Sequence, residues 1–296
     1  MERIGCFVES YNFANAGEVT ALYKFKEAAR NLGYDLKFIR KRDLDRIASY
    51  RAVFIRAYTM VGNSAYLAAR MAELKGIPVI DDSRSILTCC DKIHQHILFL
   101  RNNVAIPRTK LYRVNGCCFK EIEECFSELG KPIVIKAPHS SFSKQVARAY
   151  SVEDFLRIVK SYSRYASMVL LQQYIETKFD WRIGVLNGKP IYACKYIFPE
   201  GSWKMLSKKY SKQAECTVEG VSVSNVPKKV LKEAIKAART MGRGLYGVDV
   251  KQLNGRVYVI EVNENPTIES GYEDTCNPEL YEQIIEYLLS LSPAKA

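Results

Sequence analysis

The chain has 296 residues, 48% of them hydrophobic and 26% charged, which is enough for a sizeable core divided between two or three lobes. No stretch approaches the ~20 apolar residues of a membrane helix, and no apolar leader with a basic flank opens the chain, so a cytoplasmic protein without membrane contact is expected. The net charge of +12 is spread along the sequence without a block of five like charges, which favours a solvated basic surface over dedicated nucleic-acid binding, with attraction of anionic substrates a third reading.

The elements follow in chain order. Ile4–Glu9 reads as a strand, and Leu22, Phe25, Ala29 and Leu32 give helical spacing over Glu18–Leu32. Asp35–Ile39, Ala52–Arg56 and Ile77–Ile80 are further strands, with a helix at Tyr66–Leu74. This β-α-β alternation predicts a small parallel α/β lobe over residues 1–105. A central lobe over 106–175 is expected to be a small antiparallel sheet with helices. Its strands are Ile133–Lys136, Ala147–Tyr150 and Met168–Leu171, and its helix is Glu153–Tyr162. The third lobe, 176–296, carries two Asn-Gly turns, Asn187-Gly188 and Asn254-Gly255, each between apolar runs, which is the strongest local signal for a hairpin. Helices are predicted at Lys228–Thr240 and Pro278–Leu291.

The nine cysteines are scattered, with Cys89-Cys90 and Cys117-Cys118 adjacent rather than spaced as metal clamps, so reduced and mostly buried thiols are expected. His94, His96 and His139 are read as surface or packing residues, His139 being the one beside the Ser-rich turn.

The segment Gly247–Pro266, GVDVKQLNGRVYVIEVNENP, carries the strongest chemical signal. Asp249 lies on the first strand of a hairpin, and Glu261 and Asn263 lie on the second. Alternation puts Glu261 and Asn263 on one face with Glu264 turned away, and a suitable register places Asp249 beside them. Three oxygen donors in strongly apolar strands suit Mg²⁺, because an uncompensated carboxylate there is costly.

Weaker signals accompany it. Lys136 ends the apolar strand KPIVIK before the Ser-rich turn APHSSFSKQ, where an ammonium, hydroxyls and backbone N–H groups can meet phosphate. LLQQYIETKFD (170–180) can offer backbone groups to a base and an acid to ribose hydroxyls. Asp91-Lys92, taken alone, is an ordinary surface pair. The chain holds no GxxxxGK[ST] loop.

In this order, from about Ile77 to Leu291, the segments resemble the ATP-grasp superfamily, specifically the RimK-like carboxylate–amine ligases related to glutathione synthetase. The resemblance implies an α/β and α+β chain, with a parallel N-terminal lobe and two α+β lobes that clasp ATP. It implies ATP and Mg²⁺ as cofactors, with two ions bound and Mn²⁺ a substitute, and a small-molecule or peptide carboxylate and an amine as co-substrates, joined through an acyl phosphate. Homo-oligomers are common among relatives.

Position by position, it implies that Asp249, Glu261 and Asn263 hold the metal. Lys92 and Lys136 contact the α- and β-phosphates, and Ser140 and Ser141 belong to the loop that covers them. Gln173, Tyr174 and Ile175 frame adenine, and Asp180 meets the ribose. Lys195 reaches the γ-phosphate, Arg182 steadies the acyl phosphate, and Lys204 adds a second basic contact. The covering loop departs from the wider family in lacking glycine at 138–146. Alternative expectations are a phosphotransferase on the same fold, a nucleotide-binding regulator without turnover, and a basic nucleic-acid-binding protein.

Overall fold

The computed structural model describes residues 1–116, 118–139, 145–203, 206–209 and 212–292, with the backbone alone at 206–209 and 212–215. Strands β1 (Arg3–Phe7), β2 (Asp35–Ile39), β3 (Ala52–Ile55) and β4 (Val79–Ile80) pair in parallel in the order β2-β1-β3-β4. Their short apolar runs are explained by cover on both faces. Ile4, Cys6 and Phe54 pack toward α1 (Ala16–Asn31), while Phe7, Val53 and Ile55 pack toward α2 (Ser64–Leu74), which turns Ala65, Ala68, Ala69 and Ala72 inward. Asn15 caps α1 by accepting from the Glu18 amide. Two short helices follow, α3 (Ser83–Cys89) and α4 (Lys92–Arg101).

A second, antiparallel sheet has the order β5-β8-β6-β7, with β5 at Thr109–Arg113, β6 at Ile133–Lys136, β7 at Val146–Ala149 and β8 at Met168–Gln173. Helices α5 (Phe119–Leu129) and α6 (Val152–Tyr162) cover one face, where Ile122, Phe126, Phe155 and Ile158 meet Ile133, Ile135 and Leu171. Alternation turns Val134, Lys136 and Gln172 to the uncovered face.

The third sheet is antiparallel throughout. It consists of β9 (Phe179–Leu186), β10 (Lys189–Ile197), β13 (Thr217–Val221), β14 (Leu245–Leu253) and β15 (Arg256–Glu264) in the order β13-β10-β9-β14-β15; β11 (Leu206–Lys209) and β12 (Lys212–Glu215) form a separate pair. Helix α7 (Lys228–Met241) packs Val230, Ala234, Ala237 and Ala238 on Ile183, Val185, Val248 and Val250. On the opposite face Leu186, Tyr192, Cys194 and Leu245 join the core of the N-terminal sheet, as does α8 (Leu280–Ser290) through Leu280, Ile284, Ile285 and Leu288.

The long periodic elements match their sequence signals. The short α3, α4, β5 and β11–β13 were not expected, and α5 was missed although Ile122, Cys125, Phe126 and Leu129 have helical spacing. No described helix is long and apolar enough to cross a membrane.

Each Asn-Gly hairpin contains a one-residue bulge. In β9–β10 the register shifts between Pro190 and Tyr192; in β14–β15 it shifts beside Asp249, leaving Ile260 as the extra residue. A bulge reverses which residues share a face beyond it. Thus Val257 and Val259 face α7 before the second bulge and Val262 does so after it.

The far end of β15 is fastened to the N-terminal sheet. Asp81 accepts from the amides of Asn265 (2.6 Å) and Leu245 (3.2 Å), Glu264 accepts from the Thr59 hydroxyl (2.6 Å), and the Arg56 guanidinium donates to the Pro266 carbonyl (3.0 Å). Burial pushes the Asp81 carboxyl up to about 8.

Gly184, on the face shared with the N-terminal lobe, lies under the Tyr192 ring, whose Cε1 is 2.0 Å from where a β-carbon would stand. Gly184→Ala is therefore expected to lower the unfolding free energy by roughly 3 kcal/mol. Gly255→Ala, at φ +73° with open space around it, is expected to cost only about 1 kcal/mol. Urea titrations of the two variants test the ordering, and equal costs would contradict the packing described.

Candidate active site

An open cleft lies between the uncovered face of the central sheet and the charged end of the third sheet. One wall is Val134, Lys136, Val146, Gln172 and Gln173; the other is Asp180, Asp249, Lys251, Ile260 and Glu261. Tyr174 and Ile175, in the crossing between β8 and β9, and Phe198 and Trp203, after β10, close the end away from Glu261.

The bulge at Ile260 builds the acidic part of this wall. Counting back from the turn, an unbroken ladder would set Asp249 opposite Ile260 and send Glu261 to the α7 face. With the bulge, Asp249 pairs with Glu261 and Gly247 with Asn263. The Asn263 carboxamide bridges the two acids, with Nδ2 3.3 Å from Asp249 Oδ2 and 3.4 Å from Glu261 Oε1. A half-turn of that carboxamide presents Oδ1 instead, so three oxygens converge and the donor set fits a hard divalent cation. Among the described residues no group of three or more His, Cys, Asp or Glu offers another metal site.

Cations surround these acids. Asp91 caps α4 by accepting from the amides of Ile93 (2.8 Å) and His94 (3.2 Å). That cap sets Lys92 as the first helical residue, with its amide on the Pro138 carbonyl (3.0 Å) and its ammonium 3.4 Å from Glu261. The pair that looked ordinary in sequence is thus a cap and the cation it aims.

Lys136 is buried at the end of β6. Burial pushes its ammonium down to about 8, and Glu261 is the strongest opposing charge. Burial works against the charge on Glu261, but Lys92 and Lys136, together with Arg182 and the Asn263 carboxamide, outweigh it and hold that carboxyl below its ordinary range.

Arg182 and Asp249 pair through Nε–Oδ1 at 2.5 Å and Nη2–Oδ2 at 3.1 Å, both side chains under a tenth exposed. Burial pushes the Asp249 carboxyl up against the pull of Arg182. Arg182 also lies 5.1 Å from the Tyr196 ring centroid. A β-carbon on Gly247 would stand 2.7 Å from Pro266 Cβ and 3.1 Å from Arg182 Cδ, so glycine there makes room for the guanidinium.

The cleft therefore gathers Lys92, Lys136, Gln173, Tyr174, Ile175, Asp180, Asp249 and Glu261 from the residues singled out in sequence, with Asn263 and Arg182 touching Asp249. Lys195 is not among them. The β10 bulge moves its register partner from Asp180 to Trp181. It lies on the opposite side of the sheet, 3.2 Å from Glu219 and stacked over Phe179 and Trp181. The γ-phosphate contact expected of it is not available from there. Ser140, Ser141 and Lys204 lie outside the described residues.

Two features went unnoticed in sequence. Lys251 donates to Asp180 (2.6 Å) and Thr177 (2.8 Å) on the cleft wall. Its position two residues after Asp249 was a usable signal, because the two share a face. Arg148 on β7 stacks on Tyr174 (5.1 Å) and Trp203 (4.7 Å) at the cleft mouth, and nothing local in the sequence joins those three.

Comparison with known proteins fits this geometry. Among curated relatives, the probable alpha-L-glutamate ligase 1 of Shewanella sp. (strain W3-18-1) is 25% identical over 84% of this chain and 79% of its own. The probable alpha-L-glutamate ligase of Nitrosococcus oceani is 23% identical over 88% and 89%. Two solved structures share the fold: D-alanine–D-alanine ligase from Bacillus anthracis (TM-score 0.73, 14% identity, 98% of this chain and 96% of that one) and a RimK domain ATP-grasp protein from Sphaerobacter thermophilus (TM-score 0.68, 16%, 96% and 98%). The model of the RimK-like ATP-grasp domain matches residues 89–288, and the chain belongs to that family of ATP-dependent carboxylate–amine ligases.

Proposed function

We propose that this cleft takes ATP and phosphorylates a glutamate-like or peptide carboxylate, which an amine then captures as an amide. The observation that carries the reading is the convergence of Lys92, Lys136 and Arg182 on Asp249, Glu261 and Asn263. It is a partly buried set of cations and oxygen donors with no nucleophilic triad among the described residues, which suits phosphoryl transfer better than acyl-enzyme chemistry.

Tyr174 and Ile175 with Gln173 frame the base, Asp180 meets the ribose, and Lys92 and Lys136 neutralise the α- and β-phosphates. Asp249, Glu261 and Asn263 would hold Mg²⁺, two ions in this reading with Mn²⁺ able to replace them. The metal, when bound, supplies charge neutralisation at the outer phosphates. The substrate carboxylate oxygen attacks the γ-phosphorus as the bond to ADP breaks. Arg182, which pairs with Asp249 on the same wall, faces the acyl phosphate. The amine then attacks its carbonyl carbon, phosphate leaves, and the amine proton passes to solvent. The names of the curated relatives make glutamate the first amine to try. The division into lobes near residues 105 and 175 is part of the same reading, since it leaves the cleft at the second boundary.

A screen of amino acids and dipeptides for ADP release that needs a co-substrate, with mass spectrometry of the products, tests the reaction class. The expected product is an amide; a phosphorylated, uncoupled product would move the reading to phosphotransfer. Glu261→Gln is expected to lower turnover by about 100-fold or more while leaving the circular dichroism unchanged. An unchanged rate would remove the metal assignment. Lys136→Ala is expected to weaken ATP binding by roughly tenfold or more in calorimetry, and equal affinity would remove Lys136 from the phosphates.

A further inference from the structure

The antiparallel register of β9 and β14 sets Asp249 against Arg182 and Val250 against Trp181. One step further along the same face, Lys251 meets Asp180. The segments D-W-R (180–182) and D-V-K (249–251) therefore form two crossed charge pairs, one deep in the cleft wall and one nearer the base-framing residues. The deep pair belongs to the catalytic end already described. The outer pair has no part in that chemistry.

Both outer partners line the cleft, and their side chains are only 12% (Lys251) and 8% (Asp180) exposed. Every hydrogen bond between them falls on one carboxylate oxygen. Asp180 Oδ1 accepts from Lys251 (2.6 Å) and from the Thr177 hydroxyl (3.0 Å), and Lys251 also donates to Thr177 Oγ1 (2.8 Å). Among the described residues Asp180 Oδ2 has no partner, and Lys251 has one N–H beyond these two. The Phe198 ring, 4.9 Å from the ammonium, covers it from the side. The pair thus presents one charged acceptor and one charged donor, side by side, to the cleft.

That arrangement is complementary to a vicinal diol, in which one hydroxyl can donate to the acid while its neighbour accepts from the ammonium. Two residues of strand, about 7 Å, separate Lys251 from Asp249. A nucleotide whose outer phosphates lie near Asp249 and Glu261 therefore has its sugar near Lys251. We infer that Lys251 is a ribose-recognition residue which, with Asp180, makes the chain select ribonucleoside over deoxyribonucleoside triphosphates. This rests on the reading that the cleft takes ATP with Asp180 at the sugar. It adds a residue, and a specificity, that Asp180 alone does not supply.

Calorimetric titration of ATP, 2′-deoxy-ATP and 3′-deoxy-ATP, each with Mg²⁺, onto the wild type, Lys251→Met and Lys136→Ala tests it. The wild type is expected to bind ATP roughly tenfold tighter than at least one deoxy form, as expected when a charge-assisted hydrogen bond is lost. Lys251→Met should bind ATP about tenfold more weakly and bring that preference to within about twofold, with the affinity for the deoxy form little changed. If Lys251→Met does not fold, the double variant Asp180→Asn/Lys251→Met, which removes both charges together, takes its place with the same expectation. A wild type that binds all three nucleotides equally overturns the inference. So does a Lys251→Met protein with the wild-type preference, provided Lys136→Ala weakens ATP binding as expected. No ATP binding to the wild type overturns the nucleotide reading itself and the inference with it; full affinity in Lys136→Ala removes the phosphates from the end of the cleft that sets the sugar near Lys251, and overturns the inference alone.

Discussion

One extra residue in a hairpin holds the site together. Ile260 sits as a bulge between Val259, which faces α7, and Glu261, which faces the cleft. Without it Glu261 and Asn263 would turn to the α7 side and Val262 would leave the core for the cleft. The apolar pattern thus enforces the bulge: Val257, Val259 and Val262 are all buried against α7, and no unbroken alternation accommodates all three. The stability of this core fixes the phase in which the acids appear on the other face. Packing and chemistry are coupled through one backbone irregularity.

Placing acids on a buried face is costly unless each finds a partner. The fold answers with cations from four directions. Arg182 comes from the neighbouring strand β9, Lys251 from β14 itself, Lys136 from the central sheet and Lys92 from the first turn of α4. These charges lean on one another, as the Arg182–Asp249 and Lys92–Glu261 contacts show. The same arrangement suits a polyphosphate and a divalent cation, which bring equal and opposite partners to both sets. The depressed Lys136 ammonium and the raised Asp249 carboxyl have one cause, burial within a crowded cluster of charges.

Much of this was legible in sequence. Two Asn-Gly turns located the hairpins, period-2 alternation in apolar strands marked Asp249, Glu261 and Asn263, and an apolar run ending in lysine marked Lys136. Two physical causes hide the rest. Face assignment by counting from a turn fails at a bulge, and neither bulge has a glycine at the extra position to announce it. In β10 the bulge sets Lys195 beside Trp181, on the side away from the cleft in which the family resemblance would place it. In β15 the register had to be assumed, and the bulge supplied it. Contacts between distant segments, such as Arg148 with Trp203 or Asp81 with the Asn265 amide, depend on how sheets meet and carry no local signature.

We propose that Asp249, Glu261 and Asn263 act together as one divalent-cation site that needs the nucleotide's phosphates to complete it. Electron paramagnetic resonance of Mn²⁺ titrated into the protein, with and without a non-hydrolysable ATP analogue, measures this most directly. The account predicts weak Mn²⁺ uptake alone, strong uptake with the analogue, and loss of the strong uptake in Asp249→Asn. Uptake by Asp249→Asn equal to that of the unaltered protein in the presence of the analogue would contradict it.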